Sequence, residues 1–423
     1  MPCSDPEFEL LLCCARREMD SPARERLLRL LQQPLDWPSL LKRAGHHGVI
    51  PLLSHNLKSA FPGLIPAAVL EQFENYALAI AGRNLFMTHE LVKILDLFQA
   101  HGIPAIPFKG PSLALYAYGK LSYRSFVDLD ILVERKDFSR AKGILLDLGY
   151  RGDFSLAPPQ EERFLRTHHE YPMVRKDGKV QVELQWGVTP RDFSFLFPME
   201  PLWGRLREMD FEGRKILAFA PADLLLALCL HGAEHCWERL IWVCDLAEMM
   251  RTNRGMDWEG LIGGTNRLGC SRILLLGLFL ARELLEANLP EPVWNLCLAD
   301  ESLKKLAVDV EERLRSKEAR SPSLFERSRF YLKVSERRRD KVLFPLRLAS
   351  TPTVEDWQVL SLPPALSFLY YFIHPLRILG KYGRRGFKSW KPFSHREHRE
   401  HRAEKPQPKE SALNASSALK SLK

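Results

Sequence analysis

Hydrophobic residues recur at intervals of three and four through the first hundred residues of this 423-residue chain. This is the period of an α-helix that buries one of its faces. The spacing predicts helices over residues 7–17, 23–32, 37–46 and 67–99. No run in this part alternates between apolar and polar residues, as a half-buried strand would. Residues 1–99 therefore predict an N-terminal helical region.

From residue 103 the period shortens to two, which is typical of strands. The pattern predicts strands over residues 103–108, 126–133, 171–175 and 180–186. Between the last two strands, Asp177-Gly178 is a hairpin turn signal. A helix is predicted over residues 138–148, and Gly149 after it is a typical C-terminal stop. Residues 100–190 therefore predict a small mixed β-sheet with a helix packed on it.

Helical spacing returns in the last part of the chain. The predicted helices cover residues 222–235, 238–252, 258–262, 271–287 and 292–315. Residues 316–360 predict a charged connector with further helix. The expected fold class is therefore α+β, in which a small mixed sheet (100–190) is flanked by an N-terminal and a C-terminal helical region (1–99 and 191–385).

The net charge of +9 is concentrated at the C-terminus. Residues 381–423 hold twelve Lys or Arg and four Glu, a balance of +8, which leaves about +1 for the rest of the chain. Residues 386–423 also offer almost no apolar face, so they predict a disordered basic tail. Weak contact of this tail with an anionic surface, either nucleic acid or acidic lipid, is the alternative interpretation.

The cysteine and apolar patterns bear on the cellular compartment. The eight cysteines include no paired Cys-x-x-Cys motif, which favours reduced thiols in a cytoplasmic protein. The N-terminus lacks the basic and apolar segments of a secretory signal. The apolar run 273–281 is too short to span a bilayer, and prolines interrupt the run 362–379. No stable membrane insertion is expected.

The most informative motif lies on the second predicted strand. Asp128 and Asp130 alternate there with apolar residues, which predicts a half-buried strand with both carboxylates projecting from one face. Two adjacent carboxylates do not readily stay ionised together without a cation between them. Their oxygens predict a site for Mg²⁺, with Mn²⁺ as the alternative ion. A turn at Gly110 that opens a helix would offer backbone N–H groups to a phosphate.

A third carboxylate is predicted on the last strand of the mixed block. Glu183 shares a strand face with Gln181 and Gln185, whereas Val182 and Leu184 form the opposite face. If this strand lies beside the strand of the two aspartates, Glu183 reaches the same metal site. The alternative is that Glu183 lies on a solvated strand face.

Together these residues resemble a known family. Lys109-Gly110 before a helix, Arg124 ahead of Asp128 and Asp130, and the later carboxylate Glu183 are similar to the nucleotidyltransferase superfamily of DNA polymerase beta. A downstream helix carries further matching residues, namely His231, His235, Trp242 and Asp245. More narrowly, the chain resembles a family of uncharacterised bacterial nucleotidyltransferases over roughly residues 10 to 380.

The resemblance implies a reaction and a role for each carboxylate. The enzyme would move a nucleoside monophosphate from an NTP to an acceptor hydroxyl and release pyrophosphate. Asp128 and Asp130 would hold two Mg²⁺ ions, and Glu183 would complete the catalytic metal site and help to deprotonate the acceptor. The acceptor is left open among a small molecule, a sugar intermediate, a peptide and a protein.

The nucleotide-binding residues implied by the resemblance are Lys109, Gly110, Ser112 and Arg124. Pro111 departs from the usual Gly-Gly or Gly-Ser pair and has no N–H for a phosphate, but it suits the first turn of a helix. Ser112 is then available to a phosphate or a metal-bound water. Lys109 has either a phosphate contact or a surface role. Arg124 either neutralises the triphosphate or forms a salt bridge with the aspartates.

Histidines at helical spacing form a further candidate group. His231 and His235 lie one turn apart on one helix face, where they could bind zinc, pack in the core or line a cleft. A zinc protease of the His-Glu-x-x-His type needs Glu after the first His, and Gly232 stands there instead. The resemblance favours the cleft-lining interpretation. The pairs His46-His47 and His168-His169 predict polar turns.

Two other functions compete with nucleotidyl transfer. A metal-dependent glycosyltransferase also uses Asp-x-Asp to hold a sugar nucleotide, but it would be expected to have a longer parallel sheet before the motif. A non-catalytic nucleotide-binding or interaction protein is the other alternative, and the Gly110-Pro111 departure favours it.

Overall fold

The structure is a computed structural model that describes most of the chain. The described residues are 5–152, 154, 158–189, 193, 197–318, 320–351, 356, 366 and 369–382. The predicted tail (386–423) lies outside them, as do residues 362–365, 367 and 368 of the apolar run 362–379. Within the described ranges, no helix is both long and apolar enough to cross a membrane. Seven cysteines are described, and all of them are buried free thiols.

Five helices form the N-terminal part. They are α1 (Pro6–Cys14), α2 (Ser21–Leu31), α3 (Trp37–His46), α4 (Ile50–Ala60) and α5 (Ala67–Ala100). The first three begin in the same way, with an Asp side chain that accepts a backbone N–H and a proline in the first turn. Four of the five helices were predicted, and α4 was not.

A five-stranded mixed sheet follows, as predicted. Its strands are β1 (Ala105–Pro107), β2 (Leu129–Val133), β3 (Tyr150–Gly152), β4 (Glu170–Arg175) and β5 (Gln181–Gln185). The spatial order is β1-β2-β5-β4-β3, and only the β2–β5 pair is parallel. The hairpin predicted at Asp177-Gly178 joins β4 to β5. Strand β3 was not predicted.

The strand that carries the aspartate motif is buried on both faces, so the prediction of a half-buried strand was wrong. Leu129, Ile131 and Val133 pack into the core between the sheet and α5 and α7 (Phe138–Asp147), whereas Leu132 packs into the core of the surrounding helices. The strand begins at Leu129, later than predicted, because its sheet pairing starts there. Val127 is consequently 37% exposed and lies outside both cores.

Three other helices and a small hairpin surround the sheet. The helices are α6 (Gly110–Tyr118), α8 (Pro158–Thr167) and α9 (Met199–Trp203). Strands β6 (Arg207–Phe211) and β7 (Arg214–Ala218) form a separate two-stranded sheet. Glu212 and Gly213 make its tight turn, and both have positive φ. No strand was predicted in this segment, because its charged residues mask the alternation.

The rest of the described chain is helical. The helices are α10 (Pro221–Glu234), α11 (Leu240–Thr252), α12 (Trp258–Leu268), α13 (Ser271–Leu285), α14 (Glu291–Ala299), α15 (Glu301–Arg315), α16 (Leu324–Val334), α17 (Arg338–Ser350) and α18 (Tyr370–Tyr382). One continuous helix over residues 292–315 was predicted, and this was wrong. The chain breaks at Asp300, whose side chain accepts the backbone N–H groups of Ser302 and Leu303 and starts a new helix.

The N-terminal and C-terminal helices share one hydrophobic core, and His47 is buried where they meet. Its Nδ1 accepts a hydrogen bond from the Leu240 N–H, so Nε2 carries the proton and donates it to the Leu314 carbonyl. Burial lowers the pKa of His47 to about 3, and the neighbouring His46 and Arg43 act in the same direction. A polar turn was predicted here, and the structure shows a buried, neutral imidazole instead.

We expect His47 to make the protein less stable in mild acid. The folded protein keeps the ring neutral, while the unfolded chain protonates it near its usual pKa, so the stabilisation is present above about pH 6.5 and is lost as the pH falls towards 3. Between pH 7 and pH 5 the loss is about 2 kcal/mol of unfolding free energy. Urea unfolding at pH 7 and at pH 5 measures this loss of unfolding free energy. In His47→Gln the loss should be smaller than in the wild type by about 2 kcal/mol. A control with His101→Gln, at an exposed site, should decline as the wild type does. Equal declines in all three proteins would contradict the assignment.

Candidate active site

Three carboxylates lie on or beside the two parallel strands. Asp130 is on β2 and Glu183 is directly opposite it on β5, so both side chains project from the same face of the sheet. Asp128 lies in the bend that enters β2. Asp130, Asp128 and Glu183 are only 3%, 6% and 5% exposed. The sheet register thus brings the predicted third carboxylate to the strand that carries the aspartates.

An amide and an ammonium group connect these acids. The Gln185 Nε2 donates to Asp130 Oδ1 at 2.9 Å and approaches Glu183 Oε2 at 3.5 Å. The Lys109 Nζ lies 2.6 Å from Asp130 Oδ1, and both side chains are buried. Lys109 is therefore not on the surface, and its charge neutralises an acid that was predicted to bind a metal. All three carboxylates belong to the described part of the chain. Their oxygens, taken one from each residue, do not all lie within 4.8 Å of one another.

The Gly110 turn brings the start of α6 close to the aspartates. Gly110 has φ +56°, and a side chain there would have its Cβ 3.2 Å from the Asp128 carbonyl oxygen. Glycine is thus required both by the backbone conformation and by the close approach. Pro111 occupies the first turn of α6, as predicted. The Ser112 hydroxyl lies 2.6 Å from the Pro107 carbonyl and 2.8 Å from that of Lys109, so it holds the turn together.

Arg124 is engaged in a buried ion pair. Its Nε and one terminal nitrogen donate to the two Asp245 oxygens at 2.7 and 2.8 Å. The Tyr118 hydroxyl donates to the same carboxylate at 2.8 Å. Burial disfavours the charge of Arg124, but Asp245 outweighs this effect and raises the pKa of the guanidinium. Both residues were identified in the sequence, but their pairing was not, because they are 121 positions apart.

The aspartates open into a cavity of about 760 Å³ between α3, α5, α10 and α11. Six basic residues line it, namely Lys42, Arg83, Lys109, Arg124, Arg239 and Arg327. Its acidic lining residues are Asp128, Asp130 and Glu238. Most of these basic residues were missed in the sequence, since they come from separate helices and no motif links them.

Glu183 lines a second, smaller cavity of about 80 Å³. Lys109, His231, His235 and Arg327 line both cavities and thus stand between them. The rings of His231 and His235 have centroids 4.8 Å apart and pack against Trp242 at 5.3 and 5.1 Å. The two histidines therefore lie at the cleft, together with the Trp named in the motif.

Removing the partner of Arg124 should destabilise the fold. Asp245→Asn leaves a buried guanidinium without its counter-charge, so we expect the unfolding free energy to fall by about 3–5 kcal/mol. The matched control is Asp223→Asn, because Asp223 forms the same two-bond pair with Arg205, whose side chain is 47% exposed. That change should cost at most about 1 kcal/mol. If denaturant titrations show an equally small loss of unfolding free energy in both variants, the buried pair does not stabilise the fold.

Comparison with known proteins places these residues in a family. No curated protein and no solved structure matches the chain. Residues 33–286, more than half of the sequence, match the family described as uncharacterised nucleotidyltransferase. The matched range contains the whole five-stranded sheet, the Lys109-Gly110 turn, the three carboxylates and the His231–Asp245 segment. The chain therefore belongs to this family of uncharacterised nucleotidyltransferases.

Proposed function

We propose that the protein is a metal-dependent nucleotidyltransferase that moves a nucleoside monophosphate from an NTP to an acceptor hydroxyl and releases pyrophosphate. The observation that carries this proposal is the pairing of Asp130 with Glu183 across the parallel strands, with Asp128 beside them. Asp128 and Asp130 line the basic cavity and Glu183 lines the smaller cavity beside it, an arrangement that suits the Mg²⁺-bound triphosphate of a nucleotide.

The cavity has the size and charge for a nucleotide. A volume of about 760 Å³ lies within the range of small-molecule and cofactor sites, roughly 300–1,000 Å³. Its basic residues outnumber its acidic ones, which favours a ligand of high negative charge. Burial lowers the pKa of Arg83, while the Asp128 carboxylate acts in the opposite direction, so this guanidinium lies in the field of the motif. Tyr76, Ile80 and Phe126 supply apolar surface for a base.

The carboxylates offer the oxygen ligands that a hard divalent cation prefers, and they would have to move closer together to share one ion. Asp128, Asp130 and Glu183 would hold Mg²⁺, or Mn²⁺ with the same oxygen ligands, and the bound ions would stabilise charge on the attacking and leaving oxygens. Asp130 already holds a cationic group, the Lys109 ammonium. When NTP is bound, the Lys109 ammonium would leave Asp130 and contact the triphosphate. Glu183 would accept the proton of the acceptor hydroxyl.

The sheet argues against the glycosyltransferase alternative. That class was expected to have a longer parallel sheet ahead of its Asp-x-Asp motif. In the described part of the chain before Asp128, one three-residue strand is present, and it pairs antiparallel. The fold ahead of the motif is otherwise helical, which supports nucleotidyl transfer.

Replacing the carboxylate of Asp128 or that of Glu183 should strongly reduce nucleotidyl transfer. In Asp128→Asn we expect Mg²⁺-dependent NTP binding to weaken, and in Glu183→Gln we expect binding to persist while turnover falls. Each change should reduce pyrophosphate release by at least about 100-fold, the scale of losing one electrostatic group in an active site. Calorimetry with the four NTPs and sugar nucleotides, with and without Mg²⁺, measures binding. Pyrophosphate release is then followed with pooled small hydroxyl compounds, peptides and the protein itself as acceptors.

The control for these variants is Asp147→Asn, at an exposed site on α7, which should bind and turn over as the wild type does. Thermal melting checks that each variant is folded. Mg²⁺-dependent binding of sugar nucleotides instead of NTPs would indicate the glycosyltransferase. NTP binding without pyrophosphate release from any acceptor would indicate a non-catalytic binding protein.

Lys109→Met should change metal and nucleotide affinity in opposite directions. Without the ammonium on Asp130, Mn²⁺ should bind the nucleotide-free protein more tightly, by about 10-fold, because no cation competes for the carboxylate. NTP affinity should fall by a similar factor, because a phosphate contact is lost. Mn²⁺ titration followed by electron paramagnetic resonance measures the first effect, and calorimetry the second. Lys42→Met, elsewhere in the same cavity, should leave Mn²⁺ affinity unchanged. Weaker binding of both ligands to Lys109→Met would contradict the exchange.

A further inference from the structure

The C-terminal end of α10 brings together three side chains that can bind a metal. His231, Glu234 and His235 each offer one donor atom, and these atoms all lie within 4.8 Å of one another. The spacing of three and four residues puts them on one face of the last helical turn. All three are half-buried, so they are partly shielded from water but still accessible.

The backbone around this cluster is held in an unusual conformation. Cys236 and Trp237, directly after the helix, have φ values of +53° and +55°, which non-glycine residues rarely adopt. The turn folds the Trp237 indole back onto α10, where a Cβ at position 232 would lie 2.6 Å from the ring. Gly232 is therefore needed for this close contact. Strained backbone of this kind is concentrated at ligand sites, where the surrounding structure holds it in place.

The polar surroundings also support a cation at this position. The last carbonyls of a helix carry partial negative charge, which favours a cation at the C-terminal end. The Tyr331 hydroxyl donates to the Glu234 carbonyl at 2.8 Å and fixes the end of the helix. Lys109 and Arg327 line the adjoining cavities and oppose a cation, while Glu183 and Glu238 favour one.

The donor set differs in chemistry from the carboxylates of the sheet. Two imidazoles and one carboxylate suit a borderline ion such as Zn²⁺, whereas oxygen-only sites suit Mg²⁺. Donors around tetrahedral zinc are about 3.3 Å apart for bonds of roughly 2.0–2.1 Å, so small side-chain rotations would close the cluster. The order His-x-x-Glu-His is also that of one class of zinc enzymes, and it supports the two histidines as ligands. The opposite order, His-Glu-x-x-His, is excluded because Gly232 follows the first histidine.

We propose that His231, Glu234 and His235 form a zinc site that is separate from the Mg²⁺ site of the sheet. His231 and His235 line both cavities, so a bound ion stays accessible from the nucleotide cleft. Three protein ligands leave a coordination position for water or for a group of the acceptor. This inference goes beyond the proposed nucleotidyl transfer and does not depend on it.

The test uses the full chain with Zn²⁺ and Co²⁺ as probes. Among the other histidines, His395, His398 and His401 recur at three-residue spacing in the sequence and could also bind these ions, so the parent and every variant carry His395→Asn, His398→Asn and His401→Asn. Equilibrium dialysis at pH 7.5 should show one Zn²⁺ per chain, and Co²⁺ should give visible absorption bands. Glu234→Gln and His235→Gln should each weaken Zn²⁺ binding by more than about 10-fold, the smallest effect expected even of an outer partner. His46→Gln, in the same cavity but outside the cluster, should bind as the parent does.

Two further measurements separate the explanations. Circular dichroism without metal checks that the variants fold, and Glu234→Gln is nearly isosteric, so it serves if His235→Gln does not fold. Asp128→Asn should keep its Zn²⁺ affinity whether or not the protein transfers nucleotides. The proposal is overturned if the parent binds no Zn²⁺ at micromolar concentration, if both cluster variants bind like the parent, or if His46→Gln loses binding equally. In those cases the histidines serve only to pack against Trp242.

Discussion

The buried ion pair between Arg124 and Asp245 is the interaction on which the site depends. Arg124 precedes the bend that carries Asp128, and Asp245 lies in the middle of α11. The pair therefore fixes the entry to β2 against the C-terminal helices. The Asn84 amide reinforces it from α5 by donating to the Arg124 carbonyl at 2.8 Å. Three parts of the chain that are distant in sequence are joined at the wall of the cavity.

Burial of β2 on both faces explains why Asp130 needs polar partners. One face of the strand supports the core beneath the sheet, and the other turns Asp130 towards the helices. An isolated carboxylate in such a place would be protonated rather than charged. Lys109 and Gln185 compensate for it in the structure, at 2.6 and 2.9 Å.

The two proposed metal sites follow from two different physical arrangements. The carboxylates are aligned by the register of parallel strands, which sets Glu183 opposite Asp130. The His231, Glu234 and His235 cluster is aligned by the pitch of a single helix. Lys109 and Arg327 line both cavities, so their charges act on both groups. Binding at one site would therefore change the electrostatic field at the other.

Local patterns in the residues were enough to predict most elements and to single out the candidate site residues. The helical periods, the Asp177-Gly178 hairpin and the Gly110-Pro111 helix start were all predicted, because each depends on neighbours in the chain. Short or interrupted elements were not predicted: α4, β3, the β6–β7 hairpin and the break at Asp300 carry too little periodic signal. The carboxylates were identified by type and spacing, but the placement of the Glu183 strand beside the aspartate strand was left open, because the hairpin signal fixes only the β4–β5 turn.

Long-range pairings were decided only by the tertiary structure. Nothing local indicates that Arg124 would pair with Asp245, that Lys109 would neutralise Asp130, or that His47 would be buried between two helical regions. Such contacts depend on how separate helices pack, and packing satisfies burial and charge across the whole molecule at once. The basic lining of the cavity has the same origin, since its residues are contributed by different elements. Residue types thus determined which charged and ligand-bearing groups the chain contains. Tertiary packing determined which of these charges meet, because ion pairing depends on distance in space and not on separation in sequence.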